Sequence, residues 1–122
     1  MKQLIFIIFF LFTQNVSANW ISFYQSQIFE AKLLLSSVRQ EGQKTQALIE
    51  LKFKERISSN KIASHVIILE LTCGETDYFI IEEKFYQGSP NKSKEIDIDD
   101  TPKKFKEYVS ELLPHLIKQT CI

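Results

Sequence analysis

The chain contains two cysteines, Cys73 and Cys121, 48 positions apart, with the second one residue from the C-terminal end. Two cysteines allow a single intramolecular connectivity, so an oxidising compartment would dictate which two parts of the fold must meet. The N-terminus points to such a compartment. Lys2 precedes nine apolar residues, "LIFIIFFLF" at 4–12, followed by polar "TQN" and then small residues at Val16, Ser17 and Ala18. That is the charge, apolar run and cleavage pattern of a secretory signal peptide. Nine apolar residues fall far short of the about 20 that cross a bilayer. The expectation is a signal peptide over 1–18 and a single exported domain over 19–122, with no later segment apolar enough to span a membrane and no cysteine beside the cleavage point to carry a lipid.

Removing eighteen residues from 122 leaves 104, enough for one domain with one core. The segment removed carries Lys2 and no acid, so fourteen basic residues face fifteen acidic ones, a net charge of −1. A nearly neutral chain with its lysines scattered among acids lacks the basic footprint of a nucleic-acid binder. After export, two cysteines usually pair with each other. Free buried thiols and an interchain bridge are the alternatives. A Cys73–Cys121 bridge would close a loop of nearly fifty residues and stabilise the fold by about 4 kcal/mol, a large share of a small domain's net stability.

The residues around each cysteine say what the bridge would join. From Lys103 onward, apolar residues recur at Phe105, Tyr108, Val109, Leu112, Leu113, Leu116 and Ile117, steps of three and four that define one helical face. Thr101 is placed to cap this helix and Pro102 to occupy its first position. Pro114 falls on the opposite, solvent side. In "VIILELTC" the alternation puts Ile67, Leu69, Leu71 and Cys73 on one face of a strand, with Glu70 and Thr72 on the other. The bridge would therefore pin the end of a helix to the apolar face of a sheet.

The same alternation marks further strands. Ile49, Leu51 and Phe53 oppose Gln46, Glu50 and Lys52, and "YFIIEEKFY" follows "GETD" as the second arm of a hairpin. "EIDID" points Ile96 and Ile98 inward, "NWISFY" reads as a strand, and "LLLSSV" reads as another that turns at "QEGQ". Residues 28–38 also fit a helical stripe, and the choice between strand and helix stays open, with strand as the working expectation. The fold class is α+β: five or six antiparallel strands with a C-terminal helix packed on one face.

Signals for chemistry are sparse. His65, at a strand start, and His115, on the helix flank, are not spaced as a metal pair and read as surface residues. No serine has a nucleophile-elbow context, and the bridge accounts for both cysteines. "EIDIDD" lacks the glycine and distal glutamate of an EF-hand loop, and reads as a half-buried strand. The expectation is no catalytic residue, no cofactor and no metal. Trp20, Phe23, Tyr24, Phe79, Phe85 and Tyr86 read mostly as core, with an exposed aromatic binding patch as the second reading. No residue pattern in the sequence singles out a ligand-binding position.

The order of these features resembles the surface-adhesin protein E family of Gram-negative bacteria. "SHVIILELTC" (64–73) is similar to that family's serine–strand–cysteine segment, "EEKFYQG" (82–88) to its downstream aromatic segment, "LIKQTC" (116–121) to its closing helix and cysteine, and "LLLSSVRQEGQKTQALIELKF" (33–53) to its earlier strand pair. Order and spacing across nearly the whole exported chain carry the resemblance. It implies an antiparallel sheet with a disulfide-tethered helix on its concave face. It also implies a non-enzymatic binding protein whose partners are host extracellular glycoproteins such as vitronectin or laminin, displayed at the cell surface or secreted. The alternative is a periplasmic accessory or inhibitor protein with a bacterial partner.

Overall fold

Alternating burial along the middle of the chain builds one antiparallel sheet. A computed structural model describes residues 20–57, 61–75, 77–90, 92–98 and 101–121. The expected signal peptide lies outside these residues, as do Thr76 of the expected hairpin turn and Asp99 and Asp100 of the acidic run. The strands are β1 (Trp20–Gln25), β2 (Phe29–Leu34), β3 (Arg39–Glu41), β4 (Lys44–Ile57), β5 (Ile62–Thr72), β6 (Tyr78–Tyr86) and β7 (Glu95–Ile96). They lie in the order β1-β2-β4-β5-β6-β7, with β3 also paired to β4. Every pairing is antiparallel, so the chain runs as a meander. Among the described residues one α-helix, α1 (Lys103–Thr120), follows. Residues 29–34 are strand, which resolves the choice the sequence left open.

One face of the sheet holds the core. Thr45, Ala47, Ile49, Leu51 and Phe53 of β4 are buried in strict alternation, beside Phe29, Ala31 and Leu33 of β2 and Ile67, Leu69 and Leu71 of β5. From α1 come Phe105, Val109, Leu112, Leu113 and Leu116, the helical face expected from the three-and-four spacing. Each fully buried side chain of this size contributes roughly 1.5–3 kcal/mol over its exposed state. Phe105 sits at the junction, edge-on to Phe53 at 5.5 Å and to Phe85 at 5.2 Å between ring centres. Edge-to-face pairs of this kind add to burial because positive ring edges meet negative ring faces.

The disulfide forms as expected. Cys73 and Cys121 are bonded with their Cα atoms 5.6 Å apart, and both pack against the core. Cys73 lies just past the end of β5, where its N–H donates to the Gln43 carbonyl at 2.7 Å. Cys121 caps the end of α1, its N–H donating to the Ile117 carbonyl at 2.8 Å. The bridge thus joins the last turn of the helix to the sheet.

Two local expectations need correction. Thr101 does not cap α1. Its hydroxyl donates to Glu83 Oε2 instead, so Pro102 becomes the capping residue and Lys103 opens the helix without a side-chain cap. "LLLSSV" is not one strand. Between the pairs Leu33–Ile49 and Arg39–Gln46 the chain advances six residues on this side and three on β4. The surplus is taken up by a 3₁₀ turn over Leu35–Ser37. Ser37 bridges the gap: its hydroxyl donates to the Leu34 carbonyl at 2.6 Å and accepts the Leu48 N–H at 2.8 Å, a bond a strand neighbour would otherwise make. The turn expected at "QEGQ" is present, with Gly42 at φ 65°, as tight hairpin turns require.

Pro114 is exposed and α1 continues through it. On the solvent side the lost backbone bond falls on the Ser110 carbonyl, four residues back, and leaves the packed face intact.

Candidate functional site

Among the described residues α1 covers one face of the sheet and leaves the other open, and the strand register fixes what that face displays. Lys32 pairs with Glu50 and Glu50 with Val66; Glu30 pairs with Lys52, Lys52 with Ser64, and Ser64 with Tyr86. Leu48 pairs with Ile68. The result is a half-buried apolar centre of Leu48, Val66 and Ile68, bordered by a ladder of alternating charge.

The ladder deepens into a cleft of about 540 Å³. Trp20 closes it on the β1 side and the loop carrying Gly88, Ser89 and Pro90 closes it on the other, while Lys32, Glu50, Lys52 and Ser64 line it from the strands. The loop wall is built in detail. Ser64, 2% exposed, donates its hydroxyl to the Gly88 carbonyl at 2.6 Å. The Ser93 hydroxyl and the N–H groups of Lys92 and Ser93 all donate to the Ser89 carbonyl, at 2.7 to 3.0 Å. A side chain at position 88 would bring its Cβ within 3.1 Å of the Ser93 Cβ, so Ser93 would have to give by a few tenths of an ångström to admit it.

Burial raises the Glu50 carboxyl above its ordinary value, outweighing the pull of Lys32 and Lys52 in the other direction. Glu30 goes the opposite way: a hydrogen bond from Ser22 holds it low, with help from Lys32 and Lys52. The two glutamates of the ladder therefore differ in basicity although they stand on adjacent strands.

His65 is not a surface residue. It is fully buried within β5, stacked on Phe85 at 4.1 Å and edge-on to Phe105 at 5.5 Å. Its Nε2–H donates to Glu83 Oε1 at 2.7 Å, while its Nδ1 is buried without a partner. Glu83 also receives the Thr101 hydroxyl, so this cluster ties β5 and β6 to the start of α1. Burial depresses the His65 pKa and wins over the opposing effect of Glu83. For Glu83, burial acts upward, yet the hydrogen bonds from His65 and Thr101 outweigh it and leave the carboxyl below its usual value. His65 shares parity with Ile67, Leu69 and Leu71, a signal that could have placed it in the core. The other histidine, His115, is exposed on the helix flank, its ring 4.5 Å from that of Tyr24.

The aromatics divide. Phe85 is core, Phe23 and Tyr24 pack against it from β1, Trp20 and Tyr86 are half-buried, and Phe79 is 64% exposed. Ile96 and Ile98 pack against the core, as the alternation in "EIDID" suggests. Among the described residues no three His, Cys, Asp or Glu side chains group to hold a metal, and no helix is long and apolar enough to cross a membrane. No protein-family model, curated protein or solved structure matches this chain.

Proposed function

We propose that this chain is an exported, non-enzymatic binding module of the surface-adhesin protein E type, and that the open face of its sheet retains extracellular glycoproteins such as vitronectin or laminin. The observation that carries the reading is the asymmetry of the sheet. One face is sealed by a disulfide-tethered helix, while the other presents a half-buried apolar centre, an exposed Phe79 and a cleft walled by a pinned loop. Interfaces are recognised by this mixture of apolar anchors and polar rim rather than by bulk hydrophobicity. The buried histidine supports the same view, because a general base must reach the proton it abstracts and His65 is enclosed by Phe85, Phe105 and Glu83.

The test is retention of the purified protein on immobilised vitronectin and laminin. Saturable binding to at least one is expected. Absence of saturable binding to both removes the host-ligand reading.

A further inference from the structure

The chemistry lining the cleft restricts what can occupy it. A cation would meet Lys32 and Lys52. A simple anion would meet Glu50 between them, with Glu30 facing Lys52 on the next strand. A wholly apolar ligand would strip water from three charged groups without replacing their hydrogen bonds. A ligand with apolar flat faces and a rim of hydroxyls avoids all three conflicts. A pyranose ring has that form.

We propose that the cleft is a saccharide site, a proposal that rests on the binding-module reading and names the chemistry its open face recognises. The indole of Trp20 offers a flat apolar surface for the C–H face of a sugar. The ammonium groups of Lys32 and Lys52 donate to ring hydroxyls or to an N-acetyl carbonyl, and the Glu50 carboxylate accepts from hydroxyls. Glu50 suits this role because burial has already removed much of its water, which makes it a stronger acceptor. The volume, about 540 Å³, lies inside the range of roughly 300–1,000 Å³ typical of small-ligand sites. The Ser64–Gly88 bond and the cluster of donors on the Ser89 carbonyl fix the far wall before any ligand arrives, which lowers the ordering cost of binding.

Trp20 is the only tryptophan in the chain, so its fluorescence reports on this cleft alone. The purified protein is titrated with N-acetyllactosamine, as a host-type glycan, and with N-acetylglucosaminyl-N-acetylmuramic acid, as a bacterial wall glycan, with calorimetry in parallel. A saturable response to either sugar is expected, and the sugar that gives it identifies the source. Trp20→Ala and Lys52→Met should each weaken calorimetric binding by about tenfold or more; Lys52 is exposed, so its replacement leaves the fold unaltered. The proposal is overturned if neither sugar gives a saturable response up to about 10 mM, or if both variants bind as the wild type does. If the sugars are silent while deglycosylated vitronectin or laminin is still retained, the saccharide site falls and the binding-module reading stands. A saturable sugar response together with loss of retention on deglycosylation supports both.

Discussion

The two faces of the sheet share the same strands, and adjacent residues on them have opposite fates. Ile67 is fully buried beneath α1, while Ile68, one position on, is half-exposed on the open side. The covered face is continuous, apolar and sealed at the far end by the Cys73–Cys121 bridge; the open face carries a broken apolar centre, a charge ladder and a cleft. The contrast separates two jobs. The covered side supplies the buried core, and the open side is the one to which we assign binding.

The largest expected effect tests the sealed side. Cys73→Ser or Cys121→Ser releases the end of α1 and should cost about 4 kcal/mol, lowering Tm by more than about 10 °C in a domain of this size. An unchanged midpoint would mean that the bridge contributes nothing to the asymmetry. Next is the neighbouring pair. Ile67→Ala should destabilise by about 2–4 kcal/mol, as buried truncations do, and Ile68→Ala by less than about 1 kcal/mol. Equal losses, measured by denaturant unfolding, would mean that both faces hold the fold together.

A smaller effect concerns pH. His65 has a depressed pKa in the folded chain, so below the unfolded value of 6.5 the unfolded state binds more protons than the folded one, and stability falls as the solution is acidified. Glu83 acts in the same direction at lower pH, since its folded pKa lies below 4.5 and its contribution is lost as pH drops through that folded value. Tm should therefore decline between pH 7.5 and pH 5, and His65→Leu should flatten that slope. A slope that persists in the variant assigns it to other groups.

Much of the covered face was legible because it rests on local periodicity. The helical spacing from Phe105 to Ile117 and the alternation from Ile67 to Cys73 each identify a buried surface within one element, and two cysteines allow one intramolecular pairing. His65 obeyed the same parity, but its polarity argued for the surface; Phe85 and Glu83, both distant in sequence, make its burial tolerable. Thr101 carried a cap signal that competed with Glu83 for the same hydroxyl, and the tertiary contact won. The cleft was not legible at all. It gathers Trp20, Lys32, Glu50 and Ser64 from four strands and adds the loop at 88–90, and no spacing along the chain announces a meeting that only the register creates.

The most direct measurement compares retention on immobilised vitronectin and laminin for substitutions on opposite sides of the molecule. Trp20→Ala and Ile68→Lys alter the open face; Glu107→Lys and Lys118→Glu alter the exposed side of α1. Lost retention with the first pair and full retention with the second is the predicted result. Retention that survives the first pair and disappears with the second would contradict the assignment of binding to the uncovered face.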